Sequence, residues 1–130
     1  MRVSAAAVHA PTVHVIDDDD AIRDSLARLL RLEDIAVRKY ASAQDFLDVL
    51  PLEAEGGGCV ISDVQMPGMD GIELLRQLQG RAFELPVILM SGRAGHDSAA
   101  RGLGAADFVE KPFAAETVLT AIRQVIYPEG

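Results

Sequence analysis

Five short runs rich in apolar and β-branched residues punctuate the chain, at positions 13–16, 36–40, 59–62, 87–90 and 107–110. Longer segments between them repeat their apolar residues at the spacing of one helical face. In AIRDSLARLLRLE, Ile22, Leu26, Leu29 and Leu30 trace such a stripe, which turns polar at Glu33. SAQDFLDVL opens on Ser42 with Asp45 three residues on, a pattern close to a capping box, and predicts a short helix that closes before Pro51. Asp70 and Glu73 repeat that signal ahead of GIELLRQLQG, which stops at Gly80. GHDSAARGLGAA predicts a fourth, weaker helix, because Gly102 and Gly104 each cost about 1 kcal/mol relative to alanine. After Pro112, the residues Val118, Leu119, Ile122, Val125 and Ile126 share one face of a closing helix.

Strand and helix therefore alternate five times. Such alternation implies an α/β fold of three layers, a five-stranded parallel sheet with helices on both faces, because right-handed crossovers bury the strands between them. The domain is expected over 12–127, preceded by a disordered lead-in at 1–11 and followed by a tail at 128–130.

Composition narrows what such a domain can do. At 130 residues, with 49% hydrophobic and 25% charged residues, the chain is sized for one domain with its own core. A net charge of -8, from 12 Lys and Arg against 20 Asp and Glu, opposes direct contact with a nucleic-acid backbone. Cys59 stands alone, which excludes an intrachain disulfide and a cysteine-based zinc site and suits a reducing compartment. No apolar run approaches the roughly 20 residues needed to cross a bilayer, so a cytoplasmic location is expected, with no membrane partner.

Ligands of open α/β sheets bind outside the carboxyl ends of the strands. There the first strand runs into four aspartates, Asp17 to Asp20, the third ends in Asp63, the fourth in Ser91, and Lys111 follows the fifth. Three carboxylates, Asp17, Asp18 and Asp63, with a hydroxyl and an ammonium would meet in one cleft. Hard carboxylate oxygens suit Mg²⁺, and a cation would answer the repulsion of so many like charges. Together these are parts for phosphoryl transfer, with Asp63 as a nucleophile forming an aspartyl phosphate. Asp20 is expected to cap the first helix. His9, His14 and His96 show no ligand spacing, and Gly56 to Gly58 lack the Lys-Ser/Thr that would make a phosphate loop.

With VIDDDD, CVISDVQMPGMDG, MSG and DFVEKPF in this order, the chain resembles the receiver domains of two-component response regulators over nearly all of 13–127. The wording around the motifs is most similar to the nitrogen-fixation regulator subgroup. The resemblance implies a flavodoxin-like sheet of order 2-1-3-4-5, phosphorylation of Asp63 by a histidine kinase, and Mg²⁺, or Mn²⁺ in its place, at Asp17, Asp18, Asp63 and the Gln65 backbone carbonyl. It further implies a switch hydroxyl at Ser91, a phosphoryl-binding Lys111, an aromatic switch at Phe108 and a cis peptide before Pro112. A DNA-binding output domain in a longer parent chain, and dimerisation on phosphorylation, follow from the same resemblance. The chain departs from the family in the interval from Ser91 to Lys111, which is shorter and carries Gly102 and Gly104 in the fourth helix.

A receiver of this kind is a signalling domain and not an enzyme, beyond weak self-phosphorylation and self-dephosphorylation. Two other classes fit parts of the pattern. A pseudo-receiver would keep the fold as a binding module without phosphorylation. A haloacid-dehalogenase-type phosphatase also begins with DxD after an apolar strand, but Ala21 stands where that family wants Thr or Val, and its late acidic pair is missing.

Overall fold

A computed structural model of the chain describes residues 11–53, 57–81, 85–93 and 101–127. Its elements run β1 (Thr12–Ile16), α1 (Asp20–Leu32), β2 (Ala36–Tyr40), α2 (Ala43–Glu53), β3 (Gly58–Asp63), α3 (Gly71–Gln79), β4 (Val87–Ser91), β5 (Asp107–Glu110) and α4 (Ala115–Ile126). The five strands form one sheet of order β2-β1-β3-β4-β5, and every neighbouring pair is parallel. Fold class and strand order are thus as expected. Four of the five expected helices lie among the described residues. The segment expected to hold the other, 95–106, falls half outside them; Arg101 and Gly102 are helical, and a turn follows at Leu103 and Gly104. The proposed lead-in and tail also fall outside the described residues, apart from Pro11.

Alternation along the strands sorts the core into two layers. Val13, Val15, Cys59, Ile61, Ile88 and Met90 face one way, against Leu26 and Leu30 of α1 and Val118, Leu119 and Ile122 of α4. Ile16, Val60, Val87 and Leu89 face the other way, against Phe46 and Leu50 of α2 and Leu74, Leu75 and Leu78 of α3. The inner strands β1, β3 and β4 are buried on both faces and read as nearly unbroken apolar runs, whereas the edge strands β2 and β5 are partly exposed and carry charged residues.

Helix boundaries follow the predicted signals with two corrections. Ser42 Oγ accepts the Asp45 N–H at 3.1 Å, and Asp70 caps α3 by accepting the Glu73 N–H at 2.8 Å. The cap of α1, however, is Asp19 and not Asp20. Asp19 is extended (φ -89°, ψ 113°) and its carboxylate accepts the N–H groups of Ala21 and Ile22, whereas Asp20 is already helical. Helix α2 also continues through Pro51 to Glu53 instead of closing before the proline. In a last turn the missing N–H removes one ladder bond and leaves no further helix to interrupt.

Gly58 is the first residue of β3. A Cβ there would lie 2.0 Å from the Thr12 carbonyl oxygen, so only glycine lets β3 enter beside β1.

His14 is fully buried on β1. Its Nδ1 lies 3.1 Å from the Tyr40 hydroxyl, Phe46 packs against the ring at 5.1 Å between centroids, and Nε2 has no hydrogen-bond partner among the described residues. Burial, helped by the Arg38 charge, lowers its pKa from 6.5 to about 4. The unfolded chain therefore takes up this proton at a higher pH than the native one, and stability is lost as pH falls from about 6.5 toward 4. Denaturant unfolding between pH 7.5 and 4.5 should show wild type losing on the order of 3 kcal/mol more than His14→Leu over that window; equal losses would show that His14 is not the responsible group.

Candidate functional site

The carboxyl ends of β1, β3, β4 and β5 open on the same edge of the sheet, and the predicted residues meet there. Asp17 follows β1 and is fully buried, Asp63 closes the central strand at 8% exposure, and Ser91 closes β4 at 1%. Lys111 follows β5 and reaches back across the sheet. Its Nζ lies 3.1 Å from Asp17 Oδ2 and 3.4 Å from Asp63 Oδ1, an ammonium between two carboxylates. The peptide joining Lys111 to Pro112 is cis, as the family resemblance implies.

Each of the four adjacent aspartates has a different environment. Both oxygens of Asp17 are engaged, because Oδ2 takes Lys111 and Oδ1 accepts the Asp19 N–H at 2.9 Å. Asp19 caps α1. Asp20 pairs with Arg23 one turn along the helix. Asp18 is exposed and meets no cation or hydrogen-bond donor among the described residues. Ligand oxygens of Asp17, Asp18 and Asp63 nevertheless lie within 4.8 Å of one another. A set of hard oxygen donors, one of them unsatisfied, fits a divalent cation such as Mg²⁺.

Asp63 stands in the least comfortable surroundings. Burial raises its pKa above the usual carboxylate range and the Asp17 charge adds to this, while Lys111 and the Gln65 backbone N–H pull the other way. Burial wins because the ammonium is shared between two carboxylates. Gln65 itself is exposed in the loop after β3, lining a cleft of about 550 Å³ with Met66, Pro67, Asp70 and Arg93.

The switch positions sit on β4 and β5. Ser91 Oγ accepts the Arg93 N–H at 3.0 Å, and the Ser91 carbonyl accepts the Lys111 N–H at 2.9 Å, so β4 and Lys111 are tied through backbone. Phe108, opposite Leu89 in the register, is half-buried against the core layer of α2 and α3.

Two contributors escape sequence reasoning. A Cβ on Gly71 would lie 2.5 Å from the Asp63 carbonyl oxygen, so glycine lets α3 start hard against the strand end. Arg23 donates to the Asp17 carbonyl at 2.7 Å from one helical turn away. The second glycine of MPGMDG, Gly71, looks like an ordinary turn residue, and Arg23 looks like an ordinary exposed helix position.

Residues 13–123 match the family described as the response regulator receiver domain. The chain belongs to that family. Among curated relatives, this receiver is 48% identical over 114 residues to the transcriptional regulatory protein FixJ of Azorhizobium caulinodans, covering 85% of this chain and 53% of that protein. Among solved structures it resembles the crystal structure of FixJ-N, with a TM-score of 0.82 and 36% identity over 89% of this chain and 93% of that one. It also resembles full-length FixJ from B. japonicum, with a TM-score of 0.78, 42% identity and coverage of 92% and 60%. The nitrogen-fixation subgroup expected from the motifs is thus the one found, and the receiver spans about half the length of the curated FixJ relatives it matches. The match sets it apart from dehalogenase-type phosphatases.

Because the charged form of Asp63 is disfavoured in the fold, Asp63→Asn should melt at a higher temperature than wild type at pH 7 in EDTA. A lower melting temperature would mean that the Lys111 contact outweighs burial at this position.

Proposed function

We propose that Asp63 of this receiver accepts a phosphoryl group from the phosphohistidine of a partner histidine kinase, and that phosphorylation alters a surface read by an output domain. The observation that carries this reading is the Lys111 ammonium held between Asp17 and Asp63 beside the exposed Asp18. An oxygen of the Asp63 carboxylate attacks phosphorus, the P–N bond breaks, and the ring, protonated on its other nitrogen, takes the bonding pair and leaves as neutral imidazole. Lys111 is already within reach of the acceptor and follows one phosphoryl oxygen as charge builds. The Ser91 hydroxyl, now accepting from Arg93, donates to another. Its turn inward opens room toward which Phe108 moves, biasing the face around β5 and α4.

Asp18, Asp63 and the Gln65 carbonyl would hold Mg²⁺, with Asp17 acting through bound water. When bound, this ion neutralises charge on the phosphoryl oxygens. A hollow lined by Ala21, Ile22, Ser25, Pro112 and Phe113 opens beside Lys111 and offers a protein donor an apolar seat. None of the described helices is long and apolar enough to cross a membrane, which is compatible with a cytoplasmic kinase domain as donor. The regulators related to this receiver are transcriptional, which supports a DNA-binding output domain in a longer parent chain.

Incubation with acetyl phosphate and Mg²⁺ should add one phosphoryl mass to wild type and none to Asp63→Ala or to the EDTA control. No addition to folded wild type would favour the binding module without phosphorylation. At tenfold its dissociation constant, Mg²⁺ alone should stabilise wild type by about 1.4 kcal/mol, a gain that Asp63→Asn should largely lack. Ser91→Ala should still take up phosphate yet show a much smaller amide NMR difference between its two forms; an undiminished difference would remove the hydroxyl from the switch.

A further inference from the structure

Arg23 lies in the first turn of α1 with only 14% of its side chain exposed. One guanidinium nitrogen donates to the Asp17 carbonyl at 2.7 Å and another pairs with Asp20. Asp20 is 83% exposed, so the ion pair by itself explains little of the arginine's burial. The bond to the carbonyl explains more, being short, charge-assisted and partly shielded from water.

That carbonyl belongs to the planar peptide unit joining Asp17 to Asp18. Holding its oxygen fixes the rotation of the plane, and with it the direction in which the Asp18 backbone leaves. The neighbouring backbone is anchored as well. The Asp17 N–H donates to the Tyr40 carbonyl at 3.2 Å, and the Asp19 N–H to Asp17 Oδ1 at 2.9 Å. Asp18 is therefore aimed by its backbone, since its carboxylate has no hydrogen-bond donor or cation to hold it among the described residues.

We propose that Arg23 is a positioning residue for the metal site, acting on Asp18 through the Asp17–Asp18 peptide. This inference rests on the metal reading above. Its effect opposes that of simple electrostatics, which makes it testable. A guanidinium beside a cation site repels the cation, so on charge alone its removal would tighten metal binding. Loss of positioning would weaken it.

Binding of Mn²⁺ to unphosphorylated protein, followed by the EPR signal of the free ion, separates the two. Arg23→Ala should bind about 10-fold more weakly than wild type, in the range found when groups that orient metal ligands are removed. Arg23→Met, which keeps an apolar stem but loses charge and donor together, should weaken likewise, and Asp20→Asn should lose less than Arg23→Ala. Equal or tighter binding by folded Arg23→Met would overturn the proposal, and this variant decides the matter if Arg23→Ala does not fold. A purely structural arginine would lower thermal stability while leaving the affinity of folded protein unchanged, which also overturns it. Failure of wild type itself to bind Mn²⁺ would overturn the metal reading and this inference with it, an outcome distinct from wild-type binding that the variants share.

Discussion

One ammonium group organises this end of the molecule. Lys111 and Asp17 are 94 residues apart in sequence, yet Nζ meets Asp17 Oδ2 at 3.1 Å and Asp63 Oδ1 at 3.4 Å. Without it, two buried carboxylates would face each other across the end of the sheet with nothing between them, which a protein interior tolerates poorly. The contact requires β1, β3 and β5 to end at the same level. Their parallel register supplies this, with Ser62 opposite Ile16, Met90 opposite Asp63 and Glu110 opposite Ser91. The core layers on either face then set the level of the strands, so packing far from the site fixes a distance inside it.

Much of this was legible in the sequence, and for identifiable reasons. The inner strands β1, β3 and β4 are buried on both faces and so nearly apolar throughout, which made their runs visible, while the edge strands β2 and β5 carry charged residues and were placed by their alternation with helices; the strand order followed from the resemblance their ends carry. Ser42 and Asp70 announced helix starts because each lies directly before a periodic stretch. The acidic run gave no such guidance. Four identical residues carry no information on which is extended and which helical, and the cap fell to Asp19 because φ and ψ there leave its carboxylate facing the first helical N–H groups. Pro51 misled because a proline in a last turn looks like one that terminates a helix.

What the sequence hid were contacts made by backbone. Gly71 against the Asp63 carbonyl and Arg23 on the Asp17 carbonyl depend on where main-chain oxygens point, which no side-chain pattern encodes. The same is true of the Ser91 carbonyl bonded to the Lys111 N–H, which links the hydroxyl-bearing residue to the lysine through the sheet ladder. Side chains could be placed at the site from their order along the chain. The main-chain framework that aims them could not.

The division of labour among the four aspartates has a consequence for how the chain can change. The same letter is repeated, but one copy is buried against an ammonium, one looks into solvent, one caps the start of a helix and one pairs with an arginine. Deleting any of them would leave nearly the same text, VIDDD in place of VIDDDD, and a net charge altered by a single unit. It would nonetheless advance each later residue into its neighbour's environment and turn α1 by about 100° relative to β1. In this stretch spelling is cheap and reading frame is costly.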